Sequence, residues 1–85
     1  MSAITGSQLR AARALVRWRA EDLANQAKVG VATVRRAEGS DGPVTMTAAN
    51  EAAIRFALER AGVIFIDGDN EGPGVRIRKP LDAAE

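Results

Sequence analysis

The apolar residues of this 85-residue chain recur at two different periods, and the change falls at Gly62. Up to residue 61 they return every three or four positions, the spacing that lines one face of a helix. Leu9, Ala12 and Val16, flanked by Leu15 and Trp18, predict a first helix over about residues 6–17. Thr5-Gly6-Ser7-Gln8 ahead of them has the form of a capping box, a Thr N-cap with Gln three residues on. Leu23, Ala24 and Ala27 predict a second helix from Glu21 to Ala27, with Glu21 and Asp22 in the first turn, where the helix dipole favours acids. Lys28-Val29-Gly30 interrupts the pattern. Val34 and Ala37 then face inward on a third helix over 31–38, with Gly30 at its N-cap. Gly39-Ser40-Asp41-Gly42-Pro43 is loop chemistry. A fourth helix over about 48–61, capped by Thr45 or Thr47, carries Ala49, Ala53, Ile54, Ala57, Leu58 and Ala61 at apolar positions and ends at Gly62 as its C′ residue. Beyond Gly62, Val63-Ile64-Phe65-Ile66 is a short β-branched run, Asp67 to Gly74 is a turn, and Val75-Arg76-Ile77-Arg78 alternates as a half-exposed strand does.

These elements predict a mostly α chain of about four helices with a C-terminal β-hairpin. A helical domain spans residues 1–62, the hairpin 63–79 and a flexible tail 80–85. A core this small is marginal alone, and an isolated two-stranded hairpin is marginal in water. Because the 63–66 strand is apolar on both faces, the expectation is that it pairs with its counterpart in a second subunit. Val63, Ile64, Phe65, Ile66, Val75 and Ile77 would then lie at a homodimer interface.

The residues from 21 to 38 suit two short helices crossing at a tight turn. Ala24 is small enough for close crossing, Lys28 stands where the turn needs positive φ, and Val29 plugs the angle between the helices. One face of the third helix is left pointing outward. The stretch Leu23-Ala24-Asn25-Gln26-Ala27-Lys28-Val29-Gly30-Val31-Ala32-Thr33-Val34-Arg35-Arg36-Ala37-Glu38 resembles the Leu-Ala-x-x-Ala-Gly-Val-Ser-x-x-Thr-Ile-x-x-Leu-Glu pattern of the Xre/lambda-repressor-like family of helix-turn-helix regulators. Leu9-Arg10-Ala11-Ala12-Arg13 resembles that family's first helix, and the likeness spans about residues 5–61. It implies a lambda-repressor-like helix-turn-helix bundle that acts as a sequence-specific transcriptional regulator, a repressor, with helix 31–38 in the major groove of DNA. The chain departs from the pattern in four places. Arg19-Ala20 replaces the Ser-Gln that opens the second helix, and Lys28 replaces the turn glycine at a cost of about 1 kcal/mol if left-handed. Gly30 replaces the capping Ser, and Val31 and Ala32 are apolar where polar readers are common. The family's frequent fifth helix is replaced by the hairpin.

By the resemblance, Val31, Ala32, Arg35 and Arg36 face the groove. Arg36 is the foremost base reader, since a guanidinium grips guanine O6 and N7 in bidentate fashion; Arg35 either does the same or holds a phosphate. Val31 and Ala32 suit thymine methyls. Lys28, Thr33 and Arg19 suit phosphates, as do backbone N–H groups of the loop 39–45, while Arg10 and Arg17 are open between phosphate contact and plain solvation. Arg13 is expected to pair with Glu38 and brace the third helix against the first. Trp18 reads as a core plug at the end of the first helix, with base stacking as the lesser reading.

Charge adds a direction to this picture. Net charge is only +1, but residues 1–43 hold seven bases against four acids and residues 44–85 five bases against seven acids. The front half is therefore the side suited to phosphates. Cysteine, histidine and tyrosine are absent, which removes disulfides, thiolate zinc sites and the common nucleophile–base pairs. No phosphate loop is present, and Asp67 to Gly72 fails as a calcium loop because its twelfth position is Arg78. The chain therefore reads as no enzyme, without cofactor or metal, cytoplasmic, with no membrane partner. Its expected partner is double-stranded DNA, as an inverted repeat bound by a homodimer. The alternative is a protein-interaction module, an antitoxin or antiactivator, gripping a toxin or regulator through the same fold.

Overall fold

In a computed structural model, which describes residues 3–78, four helices are followed by one antiparallel hairpin: α1 Gly6–Val16, α2 Ala20–Ala27, α3 Val31–Glu38, α4 Ala48–Arg60, β1 Val63–Ile66 and β2 Gly74–Ile77. The expected mostly α architecture is present. The predicted tail 80–85 lies outside the described residues.

α1 begins where its capping box places it: the Thr5 hydroxyl accepts from the Gln8 N–H at 3.0 Å and Gln8 Oε1 accepts from the Thr5 N–H at 2.9 Å. α2 starts at Ala20, one residue earlier than the apolar spacing suggests, because the Asp22 carboxylate accepts from the Arg19 N–H at 2.8 Å. Thr47, not Thr45, caps α4 by accepting from the Asn50 N–H. Ala49 is exposed rather than inward; it lies about 140° around the helix from Ile54, off the stripe that Ile54, Ala57 and Leu58 bury. Ala61 is the half-buried cap residue after α4, and Gly62 takes the positive φ (108°) that turns the chain into β1.

The core is aliphatic. Ile4, Leu9, Leu23, Val34, Ile54, Leu58 and Val63 are each no more than 1% exposed. α2 packs against both α3 and α4, α1 against α3 and the hairpin, and α4 against β1. Trp18, half-buried, packs on this core together with Val29 and Val31.

The N-terminal segment lies alongside the α3–α4 loop: the Val44 N–H donates to Ile4 O and the Gly6 N–H to Gly42 O. Gly6 is required by this approach, since a Cβ there would sit 1.8 Å from Ser40 O and 2.6 Å from Ala37 O.

The hairpin pairs Val63 with Ile77, Phe65 with Val75 and Ile66 with Gly74. β2 starts at Gly74 and not Val75 because the register carries the pairing back to Ile66; Arg78 follows the strand and donates its N–H to Gly62 O. One face turns to the helices: Val63 is fully buried, and Phe65 and Val75 are partly buried on the core. Gln8, only 5% exposed, donates from Nε2 to Ile66 O at 3.1 Å and Gly74 O at 2.9 Å. The hairpin is thus covered and anchored within one subunit. Val63, expected at a dimer interface, has no surface to offer; of the six residues named for that role, Ile77 is the most open, at 46% exposure.

Gly6→Ala is expected to lower stability by about 3 kcal/mol, because both obstructing atoms are backbone carbonyls that cannot rotate away. The urea unfolding midpoint of the variant against the parent chain measures it.

Candidate nucleic-acid interface

The position of α3 is set from α1. Arg13 Nε donates to Glu38 Oε2 and Nη2 to Glu38 Oε1, both at 2.7 Å, while Nη1 donates to Trp18 O at 2.9 Å. One guanidinium therefore ties the end of α3, the body of α1 and the α1–α2 link. The side chains are 24% and 9% exposed, and hydrogen bonding to Glu38 raises the Arg13 pKa still further above its ordinary range. One turn earlier on α1, Arg10 donates to Glu38 O, Ser40 O and the Asp41 carboxylate. A cation among the last carbonyls of a helix also complements its dipole. Arg10, left open between phosphate contact and solvation, thus holds the α3–α4 loop, whose own Gly42 and Val44 N–H groups are already bonded to Ser40 Oγ and Ile4 O.

The turn between α2 and α3 is closed by a left-handed residue. Lys28 has φ 62°, its N–H and that of Val29 both reaching back to Ala24 O. α1 ends the same way at Arg17, φ 61°, with the Arg17 N–H on Ala14 O and the Trp18 N–H on Arg13 O. This is the closure in which glycine is the preferred residue. The left-handed Lys28 was legible from its place in the turn; nothing in the sequence marked Arg17.

On α3, Ala32, Arg35 and Arg36 are exposed, one stripe at helical spacing. Val31, expected on that stripe, instead packs half-buried on the core, as Val29 does. Thr33 is half-buried, its N–H on Gly30 O in the first turn of the helix. Arg35 reaches across to the Glu21 carboxylate at the start of α2, and Arg19, named for a phosphate, is paired with Asp22. These acids were read from sequence as helix-dipole residues only; Asp22 takes Arg19 as a local pair three residues apart, whereas the hold of Glu21 on Arg35 depends on the crossing of α2 and α3, which periodicity does not supply. Both pairs are exposed, so their attraction is screened and small. Among the described residues Arg17, Lys28 and Arg36 have no acidic partner.

Hydrogen bonding from Arg19 holds the Asp22 carboxyl below its ordinary range, and that from Arg10 does the same for Asp41. Glu21 is lowered by its own backbone N–H and then by Arg35. Folded-state values below the unfolded ones mean that these carboxylates stabilise the fold above about pH 4, an effect lost as the pH falls further.

No model of a known protein family matches the chain, and no curated protein is significantly similar to it in sequence. Among the described residues no helix is long and apolar enough to cross a membrane.

Arg13→Lys keeps the charge but loses the two-pronged grip and the bond to Trp18 O. It is expected to cost about 2 kcal/mol, less than the roughly 3–5 kcal/mol of removing one partner of a buried pair because the charge is kept, as read by thermal or urea unfolding.

Proposed function

We propose that the chain binds double-stranded DNA by laying the exposed stripe of α3 in the major groove, as a helix-turn-helix transcriptional regulator of the Xre/lambda-repressor-like kind. The observation that carries this reading is the braced, outward α3. Its C-terminal end is gripped by Arg10 and Arg13 and its entry is shaped by Lys28 and Val29, while Arg36 stands exposed with no acidic partner among the described residues. A rigid helix presenting an open guanidinium is what bidentate guanine recognition requires.

The left-handed caps add support. Lys28 and Arg17 hold cations at backbone positions where glycine would be more stable by about 1 kcal/mol each. Exposed bases at such positions fit phosphate contacts flanking the groove. Arg35 would exchange Glu21 for a phosphate or base edge. Two copies would read an inverted repeat with half-sites about one helical turn apart, in the cytoplasm with the DNA they regulate, as a repressor.

One feature favours the second reading, a module that grips another protein. Glu21 and Asp22 place negative charge at the start of α2, beside the surface that would approach phosphates.

The test is binding of the labelled DNA upstream of the chain's own gene, by fluorescence anisotropy, against a shuffled duplex over a range of salt. A preference for the upstream DNA that Arg36→Ala abolishes, with unfolding unchanged, is the expected result. Equal binding to both duplexes at moderate salt would sink the regulator reading and leave the protein-binding one. Lys28→Gly is expected to raise stability by about 1 kcal/mol while making the salt dependence of DNA binding shallower by about one unit of slope. A purely structural Lys28 would give the first change without the second.

A further inference from the structure

The face of α4 turned away from the core carries more exposed apolar surface than its role in one subunit explains. Ala48, Ala52 and Phe56 form one row at four-residue spacing, with both alanines exposed and Phe56 60% exposed, the most open of the large hydrophobic residues described. A second row, Glu51, Arg55 and Glu59, runs beside it. With Ala3 these six residues line a shallow groove of about 630 Å³. The Arg60 guanidinium lies 5.0 Å from the Phe56 ring centroid, so a cation covers one side of the ring and the rest stays open.

We propose that this face is where a second copy of the chain docks, with the two α4 helices antiparallel across a two-fold axis. The shape is self-complementary. Centring the axis on Ala52 sets Phe56 of each copy over Ala48 of the other, large against small, with the two Ala52 residues in contact at the centre. Small residues at a helix crossing allow the close approach that such packing needs. The charged row beside the apolar one is already engaged within each copy: Arg55 pairs with Glu59 and lies over the Phe65 ring, and Glu51 accepts from the Ile4 N–H. The row therefore borders the apolar contact without presenting a free charge to the other copy. Counting Arg60, the face holds two acids and two bases. This balance suits its own copy better than a polyanion or a strongly charged peptide. The rival surface, the hairpin, is already anchored by Gln8 and has Val63 buried.

Pairing through α4 supplies the two-copy state on which the inverted-repeat reading above rests. It is measured without DNA, so its failure and a failure of DNA binding are distinguishable. Sedimentation velocity of the full chain from about 1 to 100 µM should show a monomer–dimer equilibrium. Phe56→Lys should weaken it at least about tenfold, the size expected of a central interface anchor, with circular dichroism and unfolding unchanged because the side chain is exposed. The chain has no cysteine, so Ala52→Cys introduces a single thiol on the proposed axis. Mild oxidation should give a disulfide-linked dimer much faster than it does for Leu15→Cys, the exposed control. A chain that stays monomeric at 100 µM overturns the proposal. So does Ala52→Cys cross-linking no faster than the control, or association that survives Phe56→Lys but is lost in Ile64→Lys on the hairpin.

Discussion

The bidentate pair between Arg13 and Glu38 is the constraint on which the arrangement of the molecule turns. α3 has eight residues, too few to be stable as an isolated helix, and only Val34 and Ala37 of it are fully buried. Two small apolar contacts hold such a helix in place but leave its tilt poorly defined. Arg13 supplies the missing orientation by fixing both carboxylate oxygens at the end of α3, while its remaining amino group fixes Trp18 O at the start of the next link. Because Arg10 grips the carbonyls immediately beyond, α1 acts as a splint along the far end of α3. The near end is set by the left-handed Lys28 and by Val29. The exposed stripe of Ala32, Arg35 and Arg36 inherits its direction from these two attachments, neither of which lies on the stripe itself.

The same economy explains where the chain departs from best local stability. Helices α1 and α2 both close at a left-handed residue whose successor donates its N–H five residues back, yet place Arg17 and Lys28 where glycine is favoured. A chain selected only to fold would gain from glycine at both. Retaining bases there makes sense if the cations act outside the fold, and both are exposed without an acidic partner among the described residues. The acids at the start of α2 work the other way, pairing with Arg35 and Arg19 through screened surface attractions that an approaching polyanion could replace.

Much of this was legible in the sequence, for reasons that differ by element. The capping box, the loop from Gly39 and the turn after Asp67 were legible because each depends on residues within a few positions of one another. α3 was bounded correctly for the same reason, and the pairing of Arg13 with Glu38 was implied by the family likeness. What escaped were consequences of packing. The family likeness put Val31 on the outer stripe, but its side chain packs half-buried on the core. Periodicity put Ala49 inward, although its azimuth misses the neighbours of α4. It gave Arg10 an open choice, because the Ser40 and Asp41 groups that hold it lie about 30 residues away and meet it only after Gly6 has brought the loop against α1.

Gln8 shows how one residue can redirect an inference about assembly. As the third helical position of a capping box it needs only to accept from Thr5. Its amide nitrogen is left over, buried, and must find acceptors. It finds them in the carbonyls of Ile66 and Gly74, at the turn end of the hairpin. That bond pins the hairpin to α1, lays Phe65 and Val75 on the core and carries Val63 fully inside. Its inner face is covered in this way, while Ile64 and Ile66 on the other face stay half-buried. On α4 the inner stripe of Ile54, Ala57 and Leu58 is complete, and the outer row ends in an exposed phenylalanine. With Val63 inside and Phe65 half-buried, the most open large apolar side chain among the described residues is Phe56 on α4 and not one of the hairpin.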